Sequence, residues 1–591
     1  MRRLAFTFLL AVSCAKTPPP GEPSPPAPPS RCGLHADGSQ TFGILHINDV
    51  YRIEGLLDGT GGLARLRRLR VELEAECPDL LMTHGGDFLS PSLLTKSTNR
   101  KVDPSRRVQT DGAHMVDVLS QLDGDPEAFD PFMFAAIGNH EFDTIKTGPE
   151  FARMVSQSGF AWLDTNIKWL PMGEGDEALP APSSERFIPS AVVSFGELKV
   201  GIIGMTLDMK AVRDDGTTKL KRPYFDTNDD HATVARETFK ELDAGLAEKG
   251  EGGVDVKLAL THLDIAEDLA LLEAVPEVDL LLGGHNHRAM TFSSSDGRLA
   301  LKADADAATV RVVYVTVAKD GTITIEHDAQ GDAEATVLSG EGDPDLQAAI
   351  DAWEDGLARE FCGETEPDCL TTKLTVAGND FWAEELGIRR FETNVGDLAA
   401  DLALSAYAEQ GAQLSFMNSG GMRLNQTIPK GADFTRRQQE ELFPYSAPVF
   451  LISLTGAELQ AIADRSVEDW NGSGHWLQVS GWGFVHDPTA NEGAGSATRL
   501  HLLPADGEPV PIDPTATYKV VTGEYLITDK YGDRDGYTFE VRHIGDIPAD
   551  PPDVKELLGD YLAQQEVTVL PTEGRICNTT RPEAPCRIPA D

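Results

Sequence analysis

The sequence has little positive charge for its length. Its 591 residues include 51 Lys+Arg against 95 Asp+Glu, which gives a formal net charge of −44. This shortage argues against a nucleic-acid polymer as a partner, because no long basic surface could displace counterions from its phosphates. If the protein handles small phosphorylated anions, a local cation must hold them, and metal ions are the obvious candidates.

Long apolar stretches are missing as well. The chain contains no run of about 20 apolar residues that could span a bilayer. A hydrophobic content of 41% and an aromatic content of 7% exclude a mostly disordered or collagen-like chain. The length is too great for one ordinary domain and sufficient for two buried cores.

The N-terminus has the pattern of an export signal. Residues 1–14 contain two arginines and a short apolar stretch, which are typical of a cleaved secretory signal. Ala11-Val12-Ser13-Cys14 resembles a bacterial lipobox, although that pattern prefers Leu at Ala11, and ordinary cleavage near Ala15 is the alternative. Residues 15–37 predict a Pro-rich, extended tether. We therefore expect an exported lipoprotein of the bacterial periplasm or cell envelope, anchored at Cys14.

Cysteine is scarce, with seven residues in the whole chain. The six that remain after Cys14 form an even set, and oxidised pairs are expected in an exported protein. The sequence alone leaves their connectivity open. Two pairs would close short loops and leave a third: Cys362–Cys369, Cys577–Cys586 and Cys32–Cys77.

Residues 38–335 alternate short apolar runs with amphipathic helical patterns such as Leu63–Glu76 and Thr233–Ala247. The alternation predicts a layered α/β domain with a buried sheet. Polar residues follow five of the runs and should converge, because the carboxyl ends of strands in open α/β sheets form the ligand crevice. The five runs are Phe42–Ile47, Leu80–Thr83, Phe132–Ile137, Val256–Leu260 and Val278–Leu282.

Residues 343–366 predict a connecting helix. The chain that follows has a different order of predicted helices and strands from that of residues 38–335. Residues 367–575 combine a helical pattern near Asn394–Gln410 with a strand, a turn that ends in Asn418-Ser419-Gly420-Gly421-Met422-Arg423, and a strand-rich stretch. They predict a second α/β domain, and residues 576–591 form a tail.

The polar residues behind the first-domain runs are of metal-ligand type. Asp, Asn and His together suit divalent ions, and glycines beside three of the loops permit close approach of the backbone. Any member alone would be weak evidence, and we interpret His46, His84 and His114 as structural. The ordered set is Asp49, Asp87, Asn139, His262, His285 and His287.

In that order the set resembles the signature of the calcineurin-like metallophosphoesterases: Asp-x-His, Gly-Asp, Gly-Asn-His-Asp/Glu, His and Gly-His-x-His. With the Asn-Ser-Gly-Gly-Met-Arg turn, the chain is similar to the 5′-nucleotidase / UDP-sugar hydrolase family over about residues 41–575. The resemblance implies an N-terminal β-sandwich flanked by helices, a C-terminal substrate-binding domain, domain rotation about the connector, and a dinuclear phosphoric ester hydrolase.

The resemblance also implies two divalent ions, zinc or manganese by expectation. Asp49 and His287 would bind one ion, and Asp87 would bridge both ions. Asn139, His262 and His285 would bind the other ion.

Tyr51 departs from the family pattern, because it stands where the His of Asp-x-His is expected. Three interpretations are open. In the first, Tyr51 binds iron, since a trivalent ion can deprotonate a phenol whose pKa is about 10. In the second, Tyr51 lies beside a zinc or manganese ion that lacks one ligand. In the third, it lies beside a weakened, partly occupied metal site. We favour the second.

The same resemblance implies a mechanism of hydrolysis. A metal-bridging hydroxide would attack phosphorus in line. His140 would stabilise the transition state or protonate the leaving oxygen, and Asp143 would orient His140.

Five residues of the second domain are candidates for substrate binding by resemblance. Asn418 and Arg423 match residues that contact phosphate or ribose. Trp476 and Tyr537 match two rings that stack on a base, with core aromatics as the alternative. Asn394 stands where some relatives have an additional Arg.

The sequence therefore predicts an exported metal-dependent enzyme that hydrolyses nucleoside 5′-phosphates, with a small phosphorylated substrate as its partner. A UDP-sugar hydrolase, a 2′,3′-cyclic-nucleotide phosphodiesterase and a sulfur-ester hydrolase are alternatives on the same fold. A surface lipoprotein that binds nucleotide or metal with weakened catalysis is an alternative of another class, and the intact His140–Asp143 pair argues against it.

Overall fold

A computed structural model describes residues 30–99, 107–173, 178–212, 218–328, 335–468, 470, 472–528 and 534–589. The expected export signal, the lipobox cysteine Cys14 and most of the Pro-rich tether lie outside these described residues. Among the helices of the described ranges, none has the length and apolar character needed to cross a membrane.

Two β-sheets pack face to face in the first half of the chain. Ile44 and Phe134 of one sheet share an apolar core with Ile202 and Leu258 of the other. The central strands are parallel and apolar on both faces, as expected for sheets that are covered on both sides.

In spatial order the first sheet contains Ile323–His327, Thr309–Val317, Gln40–Ile47, Leu81–His84, Met133–Ala136, Ala161–Leu163 and Phe187–Ile188, with Gly33–Leu34 and Thr336–Val337 paired beside it. The second contains Ser190–Phe195, Leu198–Thr206, Val256–His262, Leu280–Gly283, Leu299–Lys302 and Met290–Ser293. Short pairs are Lys96–Thr98 with Arg107–Gln109, Ile167–Trp169 with Phe225–Thr227, and Lys210–Val212 with Thr218–Leu220.

Helices cover the outer faces of both sheets. Leu63–Glu74, Ala113–Leu119 and Gly148–Ser156 pack on the first sheet, and His231–Glu248 and Ile265–Ala274 pack on the second. The helix Ile265–Ala274 begins just after the strand Val256–His262, and Asp264 and Glu267 form a capping box around its first turn.

The connecting helix runs over Pro344–Cys362. It begins after Asp343, whose side chain accepts hydrogen bonds from the N–H groups of Asp345 and Leu346, with Pro at the first helical position. Its apolar face, which includes Leu357, packs on the core of the first domain.

The second domain has its own apolar cores. Its strands are Val449–Thr455, Thr517–Gly523, Leu414–Asn418 and Leu477–Ser480 in one sheet, and Val510–Pro511, Ser496–Leu502, Trp482–Asp487 and Ile576–Asn578 in another. Smaller sheets contain Asp433–Thr435, Lys373–Ala377 and Val567–Thr568, and Phe381–Ala383 with Gln426–Ile428. The helices are Glu385–Ile388, Asn394–Ser405, Arg436–Leu442, Gly456–Val467 and Val554–Leu562.

The predicted fold class is confirmed: a sandwich of sheets flanked by helices, a connecting helix and a second α/β domain. Each of the five apolar runs forms a strand. The helix expected near Asn394–Gln410 ends earlier, at Ser405, and a separate 3₁₀ turn covers Ala408–Gln410. The disulfides are those of the short-loop interpretation: Cys362–Cys369, Cys577–Cys586 and Cys32–Cys77.

Candidate active site

Asp87 lies at the centre of the residues that follow the five strands. Its Oδ2 is 3.2 Å from Nε2 of His262 and 3.3 Å from the hydroxyl of Tyr51. Its Oδ1 accepts a hydrogen bond from the backbone N–H of His140 at 2.7 Å. Loops that are far apart in sequence therefore meet around one carboxylate.

On one side of Asp87, Asp49 and His287 face each other. Asp49 Oδ1 is 3.2 Å from His287 Nε2, and the ligand atoms of Asp49, Asp87 and His287 all lie within 4.8 Å of one another. Within the described part of the chain, the buried Asp49 Oδ1 accepts no hydrogen bond, so its lone pairs are available to a cation.

On the other side of Asp87, His262 and Asn139 come together. His262 Nε2 is 3.3 Å from Asn139 Oδ1, and its Nδ1 lies 2.7 Å from the carbonyl oxygen of Gly85. A proton on Nδ1 satisfies that carbonyl and leaves the Nε2 lone pair for a metal ion. The buried ring of His285 lies beside that of His262, with 5.1 Å between the ring centroids.

The backbone of this site is unusual. Asp49, Asp87, His285 and His287 all have a left-handed φ, between 53° and 76°. Each such residue costs about 1–3 kcal/mol and persists only where its surroundings enforce it. A side chain at Gly138 would place its Cβ 2.1 Å from Asp87 Oδ1, so a glycine is required for this approach.

Buried negative charge dominates the electrostatics. Burial alone would raise the pKa of Asp87, but the charges of His262 and His140 hold it well below its usual value. Burial likewise opposes the charged form of His262, yet Asp87 and Asp49 raise its pKa to about 9. The carboxylates therefore attract positive charge, and the Asp, Asn and His donors fit divalent metal ions.

Tyr51 points its hydroxyl into the Asp49 side of the site. The oxygen is 3.0 Å from His287 Nε2, and burial, followed by the charges of Asp87 and Asp49, raises the pKa of the phenol well above its usual value. A protonated phenol in this place donates a hydrogen bond to Asp87 Oδ2. The geometry agrees with the favoured interpretation of Tyr51, whose role stays a prediction.

The expected His140–Asp143 pair is assembled. His140 Nδ1 is 2.5 Å from Asp143 Oδ2, and Lys221 Nζ is 3.0 Å from Asp143 Oδ1. Burial would raise the pKa of Asp143, but Lys221 and His140 outweigh it and keep the pKa below its usual value. An ionised Asp143 fixes the imidazole through Nδ1 and directs Nε2 away from itself.

Sequence reasoning gave Glu141 no role, although the motif contained it. This buried carboxylate accepts hydrogen bonds from the N–H groups of Asp87, Phe88 and Gly138 at 3.1, 2.7 and 2.5 Å, so it shapes the Asp87 loop. Lys221 was also missed, and no motif in the sequence marks it.

The second domain contributes side chains to the same site. Glu385 Oε2 is 2.5 Å from His287 Nδ1. Arg423 donates from Nη1 to Glu385 Oε1 at 3.3 Å and from Nε to the carbonyl of Gly420 at 2.8 Å. Arg423 is thus held beside the predicted ligands, whereas Glu385 was not anticipated from the sequence.

Tyr445 is a further residue that the sequence did not single out. Its side chain is among the large exposed ones, with 44% of the residue accessible, and its hydroxyl end interacts with Ser90 and Asp143. An exposed ring therefore lies beside the His140–Asp143 pair. Its Pro-Tyr loop carries no pattern that distinguishes it from other loops.

Asn394 and Asn418, two further predicted substrate residues, are hydrogen-bonded within the second domain. The side-chain NH₂ of Asn394 donates to the carbonyls of Asp380 and Leu570, and that of Asn418 donates to Asp535 at 3.2 Å.

Trp476 and Tyr537 belong to the core of the second domain, at 0% and 2% exposure. Trp476 donates to the carbonyl of Phe391, and the Tyr537 hydroxyl donates to that of His475. Their burial favours the alternative, that both are core aromatics, over a stacking role.

Both halves of the chain match models of known protein families. Residues 42–289 match the family model of calcineurin-like phosphoesterases, and residues 373–538 match that of the 5′-nucleotidase C-terminal domain. A snake venom 5′-nucleotidase of Gloydius brevicauda is 24% identical over 585 residues, which cover 92% of this chain and 89% of that protein.

Several solved structures share the fold, including two from Thermus thermophilus. A 5′-nucleotidase precursor from Thermus thermophilus superposes with a TM-score of 0.69 at 23% identity and covers 91% of this chain and 99% of its own. The sulfate thiohydrolase SoxB of the same organism has a TM-score of 0.60 at 16% identity and covers 91% of this chain and 97% of its own.

The position of Tyr51 leads to a test of its role. We expect Tyr51→Phe to retain the metal content of the unaltered protein, because loss of a protonated hydroxyl removes no ligand. Tyr51→His adds an imidazole and should tighten binding of one ion by at least about tenfold, since even the outer partners of metal ligands are worth that much. Metal analysis after dialysis, with a visible spectrum of the iron-loaded protein, measures both. The interpretation is contradicted if Tyr51→Phe loses one ion. It is also contradicted if the unaltered iron-loaded protein has a tyrosinate-to-iron band that Tyr51→Phe lacks.

Proposed function

Because the chain belongs to the 5′-nucleotidase family of calcineurin-like phosphoesterases, we propose that it hydrolyses nucleoside 5′-phosphates to nucleoside and phosphate. It is a phosphoric ester hydrolase by family. One observation carries the substrate class: Arg423 and the exposed ring of Tyr445, both from the second domain, lie beside the buried ligand cluster and the His140–Asp143 pair. Arg423 would contact the phosphate, His140 the ester oxygen, and the ring of Tyr445 the base.

The ligand assignment remains that of the sequence, and the geometry supports it. Asp49 and His287 would hold one ion and Asp87 would touch both. Asn139, His262 and His285 would hold the other ion. When bound, two divalent ions supply a water of lowered pKa and neutralise charge on the phosphoryl oxygens.

The residues of the chain have separate tasks. His140, fixed through Nδ1 by Asp143, can give a proton from Nε2 to the leaving ester oxygen. Arg423 offers a charged fork to phosphate oxygens. The ring of Tyr445 offers a face on which a base can stack, worth about 1–3 kcal/mol and tolerant of base identity.

We propose the same cellular location as the sequence predicts: export to the periplasm or cell envelope, with a lipid anchor at Cys14. Three disulfides support an oxidising compartment. The domain limits at 38–335, 343–366 and 367–575 also stay proposals.

Phosphate release from a substrate panel tests the function. After reconstitution with zinc, manganese or iron, we expect AMP to be hydrolysed faster than ADP, UDP-glucose or cyclic AMP. A clear preference for UDP-glucose or a cyclic nucleotide would replace the 5′-nucleotidase assignment by one of its alternatives on the same fold. Nucleotide binding without turnover under every metal would favour the non-catalytic lipoprotein.

His140→Ala tests the role of the imidazole. We expect both metal ions to remain bound and kcat to fall by at least about 100-fold, the usual range for a lost general acid. His501→Ala, in the second domain, is a matched control that should keep its activity. Turnover near that of the unaltered protein in His140→Ala would contradict the assigned role.

A further inference from the structure

One imidazole joins the two domains at the metal cluster. Nε2 of His287 faces Asp49 and Tyr51 of the first domain, at 3.2 and 3.0 Å. Nδ1 of the same ring is 2.5 Å from Oε2 of Glu385, in the helix Glu385–Ile388 of the second domain. The orientation of a proposed metal ligand therefore depends on a side chain from across the domain boundary.

Glu385 is itself held firmly by its own domain. Its side chain is 4% exposed and forms ion pairs with Arg389 and with Arg423. Its backbone N–H donates to Asn425 Oδ1 at 3.2 Å. Since these partners all belong to the second domain, the position of this carboxylate relative to His287 is set by how the domains meet.

A carboxylate that accepts the outer N–H of a ligating histidine fixes the ring and raises its basicity. We propose that Glu385 is an interdomain positioning residue, which orients His287 and makes the affinity of the ion on the Asp49 side depend on contact between the two domains. This inference rests on the proposed assignment of His287 as a ligand.

The coupling works in both directions. If domain contact strengthens the binding of one ion, then binding of that ion stabilises domain contact by the same factor. Arg423 shares Glu385 with His287, so the proposed phosphate-binding arginine and the metal ligand contact opposite oxygens of one carboxylate. Metal, phosphate and domain arrangement are thereby connected through a single side chain.

A second interdomain contact provides a matched control. Glu441 of the second domain pairs with Arg52 of the first at 2.8 Å, and this carboxylate is also nearly buried. Its other ion pair, at 2.6 Å, is with Arg437 of its own domain, so neither partner is a proposed ligand. Glu441→Gln therefore weakens the interface between domains without removing a partner from His287.

The experiment compares metal binding in the full-length protein and in Glu385→Gln, Glu441→Gln and His287→Ala. Equilibrium titration of zinc against a chelator resolves the affinities of the two ions. We expect Glu385→Gln to lower the affinity for one ion by about 10- to 100-fold and to leave the affinity for the other unchanged. A loss of this size is typical when an outer partner of a metal ligand is removed. Glu441→Gln loosens the domain contact but leaves Glu385 against His287, so it should weaken the binding of the same ion by a clearly smaller factor.

Two further measurements separate the possible outcomes. Small-angle scattering with and without zinc should show a metal-dependent compaction that is reduced in Glu385→Gln. If Glu385→Gln fails to fold, Glu385→Asp replaces it. This variant keeps the negative charge near both arginines but withdraws it from His287, so the affinity for one ion should again be lowered.

The controls distinguish failure of this inference from failure of the function. If His287→Ala loses one ion while the Glu385 variants bind both normally, the coupling is wrong and the metal assignment stands. If His287→Ala keeps both ions, the assignment of His287 fails and the inference fails with it. Equal weakening of both ions, or an equal effect of Glu441→Gln, also overturns the specific role of Glu385.

Discussion

The burial of negative charge around Asp87 is the constraint on which the rest of the structure depends. Carboxylates removed from water are costly unless cations and hydrogen bonds compensate them. Here imidazoles and backbone N–H groups supply part of the compensation, and the metal ions that the donors fit would supply the rest. The left-handed backbone at Asp49 and His287, and the glycine at Gly138, follow from the need to bring these groups within contact distance.

The sheets of the first domain supply the rigidity that this arrangement needs. Their parallel strands end at one edge, and helices cover the outer face of each sheet, so short loops present the proposed ligands from a packed frame. The second domain then completes the site from the opposite side. Glu385, Arg423 and Tyr445 add an acceptor for His287, a charged fork and an exposed ring. Under the proposed function, chemistry and substrate recognition would be divided between the two halves of the chain.

Much of the first-domain site could be predicted from the sequence, because each proposed ligand lies within a few residues after an apolar run. Asp49, Asp87 and His262 were placed correctly relative to strands, and the loops do converge. Glu385 and Lys221 could not be found in this way. Their contacts arise from how distant segments meet, and neither lies in a motif whose spacing indicates a metal or a catalytic site.

Whether an aromatic ring lies in a core or at the site could not be predicted from the sequence. Trp476 and Tyr537 resemble stacking rings by their sequence neighbours, yet both rings fill the core of the second domain. Burial separates the two cases, and burial is set by the packing of whole sheets. Tyr445, in contrast, is exposed beside Asp143 although its loop has no distinguishing pattern.

The central claim is that Asp87 bridges two metal ions. A crystal structure of the zinc-loaded protein, with anomalous differences collected at the zinc edge, tests it most directly. The account predicts two peaks on either side of Asp87, about 3.5–4 Å apart, one beside Asp49 and His287 and the other beside His262 and Asn139. A single peak, or peaks that Asp87 does not contact, would contradict the account.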